Sequence, residues 1–224
     1  MSKVVCIPDA SALEHLEGII VGGKDVRDWL IDELEVLPTE KICEEFEEGC
    51  KIRGVTDPLI KKFRKQAESV EIEDEIREAL KNLAGRSLSR FQDGELTGVR
   101  LGLRLLKVDE FGIRHIIFLS DDLEAFERSE GGKQLLQKIP AFCFWTSADL
   151  ILYLVFRLGG KGGVGMRRQD FFNALEIAIQ RMCPALAMTS GTTMKATARI
   201  NWEARKQRYL AWFDQVYEGS FIGW

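Results

Sequence analysis

Apolar residues recur along this chain in two alternating rhythms, short unbroken runs and stripes spaced three or four apart. The runs fall at residues 4–7, 115–119 and 141–145. A short apolar run bounded by turn signals marks a strand buried on both faces, as in parallel sheet. Between the runs the spacing is helical. Ala12, Leu13, Leu16, Ile19 and Ile20 share a stripe that Gly22-Gly23 closes, and Val26, Trp29, Leu30 and Leu34 form a second over 25–34. Pro38-Thr39 opens a third helix with Ile42, Cys43 and Phe46 as its apolar face and Gly49 near its end.

After the break at 54–58 the pattern predicts a charged helix over 59–68, a short strand at Val70 and Ile72, and a helix over 74–83. Residues 85–89 reset the chain before a long helix over 92–106, with Leu96, Val99, Leu103 and Leu106 inward. A further helix carries Leu123, Phe126, Leu135 and Leu136, and Thr146 or Ser147 can cap a helix over 150–156. Strands alternating with helices predict a three-layer α/β/α sandwich around a mainly parallel sheet. Beyond 166 two helices are expected. One carries Phe171, Phe172, Leu175, Ala178, Ile179 and Met182; the other, over 195–217, interleaves Trp202, Leu210, Trp212, Phe213 and Tyr217 with Arg199, Arg205, Lys206 and Arg208.

Length and composition narrow the class. The 224 residues, 46% of them hydrophobic, suffice for one domain of residues 1–157 plus a helical extension over 158–224. No run of about 18 apolar residues occurs, and the N-terminus lacks a basic-then-apolar layout, so a cytoplasmic protein without a membrane partner is expected. The five cysteines include no C-x-x-C pair and the two histidines follow no zinc spacing, which favours buried, reduced thiols. Net charge divides unevenly, −9 over 1–155 and +5 over 156–224. The basic, aromatic extension can pack on the sheet domain, seat a second subunit or inhibitor, or stack on unpaired bases.

Candidate chemistry comes from four acidic signals. Asp9 follows the first run, Glu45 lies in the third helix, Asp93 and Glu95 open the long helix, and Asp121-Asp122 follow the second run. In open α/β sheets ligands sit beyond the carboxyl ends of the strands, where Asp9 and Asp121-Asp122 fall. Carboxylates gathered in one place repel, and divalent cations relieve that repulsion. Each acid also has a structural reading: Asp9 and Asp93 as helix caps, Glu45 on a solvated face, Asp121-Asp122 as partners of a helix dipole.

The order and context of these residues resemble the PIN-domain nucleases over about residues 3–157. The resemblance rests on strand-Asp9-x-Ser11, on Leu37-Pro38…Ile42-x-x-Glu45-Phe46, on Asp93-Gly94-Glu95, and on Phe118-Leu119-Ser120-Asp121-Asp122. It implies a pocket holding Mg²⁺ or Mn²⁺ and hydrolysis of phosphodiesters in RNA, or in single-stranded or flap DNA. It implies catalytic and metal-binding roles for Asp9, Glu45, Asp93 or Glu95, and Asp122 or Asp121, with Asp122 favoured, and supporting roles for Ser11 and Ser120. Glu44 lies about 100° from Glu45 around the helix and should point elsewhere. A toxin-like ribonuclease held by an inhibitor is one setting the resemblance implies. The alternative is an inactive PIN-like protein that binds nucleic acid or protein through 166–224. Pro8 before Asp9 suggests that the strand ends there.

Two further stretches invite a phosphate. Residues 159–165 are glycine-rich but lack the Lys-Ser/Thr pair of a phosphate-binding loop, since Met166-Arg167 stands there, so a connector is expected. Thr189-Ser190-Gly191-Thr192-Thr193 reads as a turn and cap before the last helix.

Overall fold

A computed structural model describes residues 3–71, 93–107, 113–121, 141–159, 166–183 and 196–218. The expected helices over 74–83 and around 123–136, the connector at 160–165 and the hydroxyl-rich turn at 189–193 lie outside the described residues. So do Asp122 and the side chains of Asp93 and Glu95.

The chain is mixed α/β and forms two compact units. The first, residues 1–14 and 31–145, holds a four-stranded sheet in the order β4-β1-β5-β6, from β1 (Lys3–Pro8), β4 (Glu35–Val36), β5 (Ile113–Leu119) and β6 (Phe142–Trp145). Every pairing in it is parallel. Val5, Cys6 and Ile7 of β1 and Ile116 to Leu119 of β5 are all buried. Both faces of these strands are therefore covered, which is why they read as continuous apolar runs and not as alternation. β1 ends at Pro8, paired with Leu119, as the proline suggests.

Among the described residues four helices lie wholly or mainly in this unit: α1 (Ala10–Leu16), which runs across the boundary between units, α3 (Glu40–Arg53), α4 (Leu59–Gln66) and α5 (Asp93–Lys107). Thr39 caps α3, its hydroxyl accepting from the Ile42 amide at 3.2 Å, and Gly54 closes it in the left-handed region at φ 68°. Gly49 lies near the end of α3 as expected, and a side chain there would collide with Glu14.

On α5 the buried residues are Leu96, Val99, Leu101 and Leu105, while Leu103 and Leu106 are only partly buried against the same core. Leu96 and Val99 are thus inward as expected, and the inward face is wider than the expected stripe, taking in Leu101 and Leu105. Gly94, Gly98 and Gly102, four residues apart, are buried as well and let the helix lie close to its neighbours. A β-carbon on Gly98 would stand 2.6 Å from the Phe118 ring, and one on Gly102 would stand 2.5 Å from that of Phe142. The core formed is Val5, Ile7, Ile42, Val99, Leu101, Leu105, Ile116, Phe118 and Phe142.

The second unit, residues 15–30 and 146–224, contains the hairpin β2 (Ile20–Val21) and β3 (Lys24–Asp25), most of α2 (Val26–Glu33), α6 (Ser147–Leu158), α7 (Arg168–Met182) and α8 (Ala196–Tyr217). The first helix stops at Leu16, short of the expected span. Gly18 turns the chain, and Gly22-Gly23, both at positive φ, make the tip of an antiparallel hairpin instead of a helix end. Two central residues at φ > 0 are what a two-residue hairpin turn demands, and Ile20 is left 52% exposed. Thr146 caps α6 through a capping box with Asp149. Tyr209 of α8 joins that cap, its hydroxyl 2.9 Å from that of Thr146. Among the described residues no helix is long and apolar enough to cross a membrane.

The close seat of α5 gives a direct expectation. Gly98→Val should lower the free energy of unfolding in urea by about 2 kcal/mol through overpacking against Phe118. Gly98→Ala should cost less, because alanine returns about 1 kcal/mol of helix propensity. A valine variant as stable as the parent would show that the helix does not lie this close.

Candidate functional site

The sheet order decides where chemistry is best placed. From β1 the chain goes to β4 on one side and then returns to β5 on the other, so the direction of winding reverses between β1 and β5. In open α/β sheets the connections leaving the carboxyl ends of the strands part to opposite sides at such a reversal, and ligands bind in the crevice outside those ends. Asp9 and Ser120 are the first residues beyond these two strands.

The parallel ladder continues into the crevice. The Asp9 amide donates to the Leu119 carbonyl at 2.7 Å, and the Ser120 amide donates to the Trp145 carbonyl at 2.9 Å. The side chains then join across the strand ends. Asp9 Oδ2 accepts from Ser11 Oγ at 2.6 Å and from Ser120 Oγ at 3.1 Å. Ser11 Oγ accepts in turn from the Asp121 amide at 3.3 Å. Ser11 therefore uses its single proton on Asp9 and a lone pair on Asp121, tying the two strand ends together. Asp9, Ser120 and Asp121 are buried, each at 6% exposure or less. Two hydroxyl donors on one carboxylate oxygen fix the orientation of that carboxyl group.

Glu45 is placed differently. Helical phase separates it from Glu44 as expected, Glu45 half-buried and Glu44 exposed. Its Oε1 accepts from the Gly94 amide at 3.0 Å, in the first turn of α5. A second polar link runs beside it, Thr39 Oγ1 lying 2.8 Å from Thr97 Oγ1, with Thr97 also bonded to the Gly94 carbonyl. The structure thus brings Asp9, Ser11, Ser120 and Asp121 into one hydrogen-bonded group and places Glu45 against the start of the helix that bears Asp93 and Glu95. Among the described residues no three His, Cys, Asp or Glu side chains gather as a metal-holding set. Gly94 entered the sequence reading only as part of Asp93-Gly94-Glu95, with no role of its own, and Thr97 did not enter it. The four-residue glycine spacing was the signal for the first, and the second has none beyond its place on the same face.

Neither Cys6 nor Cys43 offers a nucleophile at neutral pH. Cys6, Cys43, Cys50 and Cys183 are buried thiols outside any disulfide, and Cys143 on β6 is an exposed one, unlike the expectation for an apolar run. Burial pushes the Cys6 thiol well up. Cys43 is pushed up to about 11, chiefly by burial, with Arg64 opposing and Glu40, Glu44 and Glu47 adding to the rise. A thiol held so high is not the nucleophilic thiolate at neutral pH.

In α8 the basic and aromatic residues meet rings within their own unit. Arg205 lies over the Trp202 ring at 5.3 Å, and Arg168 of α7 lies over Phe213 at 5.1 Å and pairs with Asp214. Trp212 is 39% exposed.

Comparison with protein-family models, with curated proteins and with solved structures returned no match.

Two outcomes are expected from these groups. Ser11→Ala removes both links through Ser11 Oγ and should lower stability to urea by about 1–3 kcal/mol; a change within about 0.3 kcal/mol would mean the bridge carries nothing. For Cys43, the ordinary thiol value of 9.0 applies to the unfolded chain and about 11 to the folded one. Stability present below pH 9 is therefore lost as pH rises through about 11. Thermal melting between pH 8 and 11 should fall more steeply in the parent than in Cys43→Ala, and parallel profiles would refute the burial of this thiol.

Proposed function

We propose that this chain is a PIN-like, metal-dependent nuclease, with its parallel sheet forming the centre of a three-layer α/β/α sandwich. The observation that carries the reading is the buried Asp9 carboxyl, oriented by Ser11 and Ser120 beside Asp121 at the winding reversal of the sheet. It occupies the place where open α/β sheets bind ligands. The order of the four acidic motifs along the chain supports the same reading.

The donor chemistry fits the cation that such an enzyme uses. Carboxylate oxygens are hard ligands, and Mg²⁺ is ordinarily held by one or two of them, with water completing its shell. Asp9 and Asp121, or Asp122, would hold it, with Asp93 or Glu95 of α5 as the further ligand the resemblance implies. Bound there, Mg²⁺ or Mn²⁺ would neutralise charge on a phosphodiester and activate water. Ser11 and Ser120 would keep Asp9 in one rotamer before the ion arrives, so that little reorganisation accompanies binding. Single-stranded or structured RNA is the substrate class proposed, with single-stranded or flap DNA next, and the setting proposed is cytoplasmic and toxin-like. The unit containing α7 and α8 would serve an inhibitor or a second copy of the chain.

Mn²⁺ should raise the melting temperature of the parent relative to EDTA, because a ligand bound only by the folded state stabilises it. Asp9→Asn should abolish that shift and reduce Mn²⁺-dependent cleavage of single-stranded RNA by at least about 100-fold. A parent that neither shifts with Mn²⁺ nor cleaves RNA or DNA would overturn the proposal.

A further inference from the structure

We infer that Glu45 is a positioning residue that clamps the first turn of α5, and that Gly94 is glycine because the clamp needs its space. The consequence for cleavage rests on the nuclease reading; the clamp itself does not.

The first four amides of a helix have no partner within it, and a carboxylate beside them is favoured by both hydrogen bonding and the helix dipole. At α5 this partner comes from another helix, 49 residues away in sequence: Glu45 Oε1 accepts from the Gly94 amide at 3.0 Å. The approach leaves no room at Gly94, since a β-carbon there would collide with the Glu45 carboxylate. The Thr39–Thr97 hydroxyl pair at 2.8 Å fixes the same two helices a turn away, and Thr97 also binds the Gly94 carbonyl. Thr39 at the same time caps α3, the helix that bears Glu45. Both peptide groups of Gly94 are thus held, one by Glu45 and one by Thr97. Asp93 and Glu95 flank that residue, so whatever fixes Gly94 fixes the backbone from which they project.

A clamp and a metal ligand make different demands on Glu45. A clamp needs one acceptor oxygen of the right reach, which glutamine supplies. A ligand needs the charge, which glutamine lacks. Hydrogen exchange of the amides of residues 94–97 in EDTA, together with Mn²⁺-dependent cleavage of single-stranded RNA, separates the two in the full-length chain. Glu45→Ala should speed exchange at Gly94 by at least about tenfold and lose cleavage. Glu45→Gln should keep the protection and retain at least about a tenth of the cleavage. In Gly94→Ala the new methyl should displace the carboxylate, and exchange at residues 95–97 should then match that of Glu45→Ala. Unchanged protection in Glu45→Ala would overturn the clamp. Retained protection with lost cleavage in Glu45→Gln would overturn the positioning role in favour of a charged ligand. Should the parent show no cleavage, the nuclease reading falls while the exchange measurements still decide the clamp.

Discussion

The parallel register of β1 against β5 is the constraint on which the candidate site depends. It pairs Pro8 with Leu119 and lets the Asp9 amide continue the ladder onto the Leu119 carbonyl. Because side chains alternate along a strand, a slip of one residue would carry every buried residue of β1 to the opposite face. It would also part Asp9 from Ser120. Val5 and Ile7 in the core with Val99 and Phe118 hold the register, so the apolar pattern that builds the sheet also aims the carboxylate.

The long helix α5 adds the second half of that frame. Its glycines at 94, 98 and 102 bring it against Glu45, the Phe118 ring and the Phe142 ring in succession. Two of these contacts are apolar and seat the helix; the third is polar and fixes its first turn. Core packing and placement of acidic side chains are therefore linked through one glycine stripe. A change that lifts the helix from the sheet would also move its amino end away from α3.

Much of the first unit was legible in the sequence. The strands at 4–7 and 115–119 appeared as apolar runs because burial on both faces removes alternation, while that at 141–145 appeared by its apolar residues although only Phe142 is buried. The caps at Thr39 and Thr146 appeared because a hydroxyl before an apolar stripe has a local purpose. The hairpin at 20–25 was misread as helix because Ala12, Leu13, Leu16, Ile19 and Ile20 share a helical rhythm by coincidence. The turn chemistry of Gly22-Gly23 outweighs that rhythm. The expected inward stripe of α5 was incomplete: Leu96 and Val99 are buried, but so are Leu101 and Leu105, because the small glycines beside them bring more of the helix surface against the sheet.

By itself the sequence determined three of the four strands of the main sheet and most of the described helices, that the sheet is mainly parallel, and that acidic residues follow two of its strands. These properties are local, set by burial pattern, capping and chain punctuation within a few residues. Only the tertiary structure decided that β1 and β5 flank the winding reversal, that Ser11 and Ser120 converge on one oxygen of Asp9, and that Glu45 bonds to Gly94. The Ser120–Asp9 and Gly94–Glu45 hydrogen bonds join residues 111 and 49 positions apart. A polar contact at that separation leaves no periodic trace in the chain, because its geometry exists only once the helices and strands have packed.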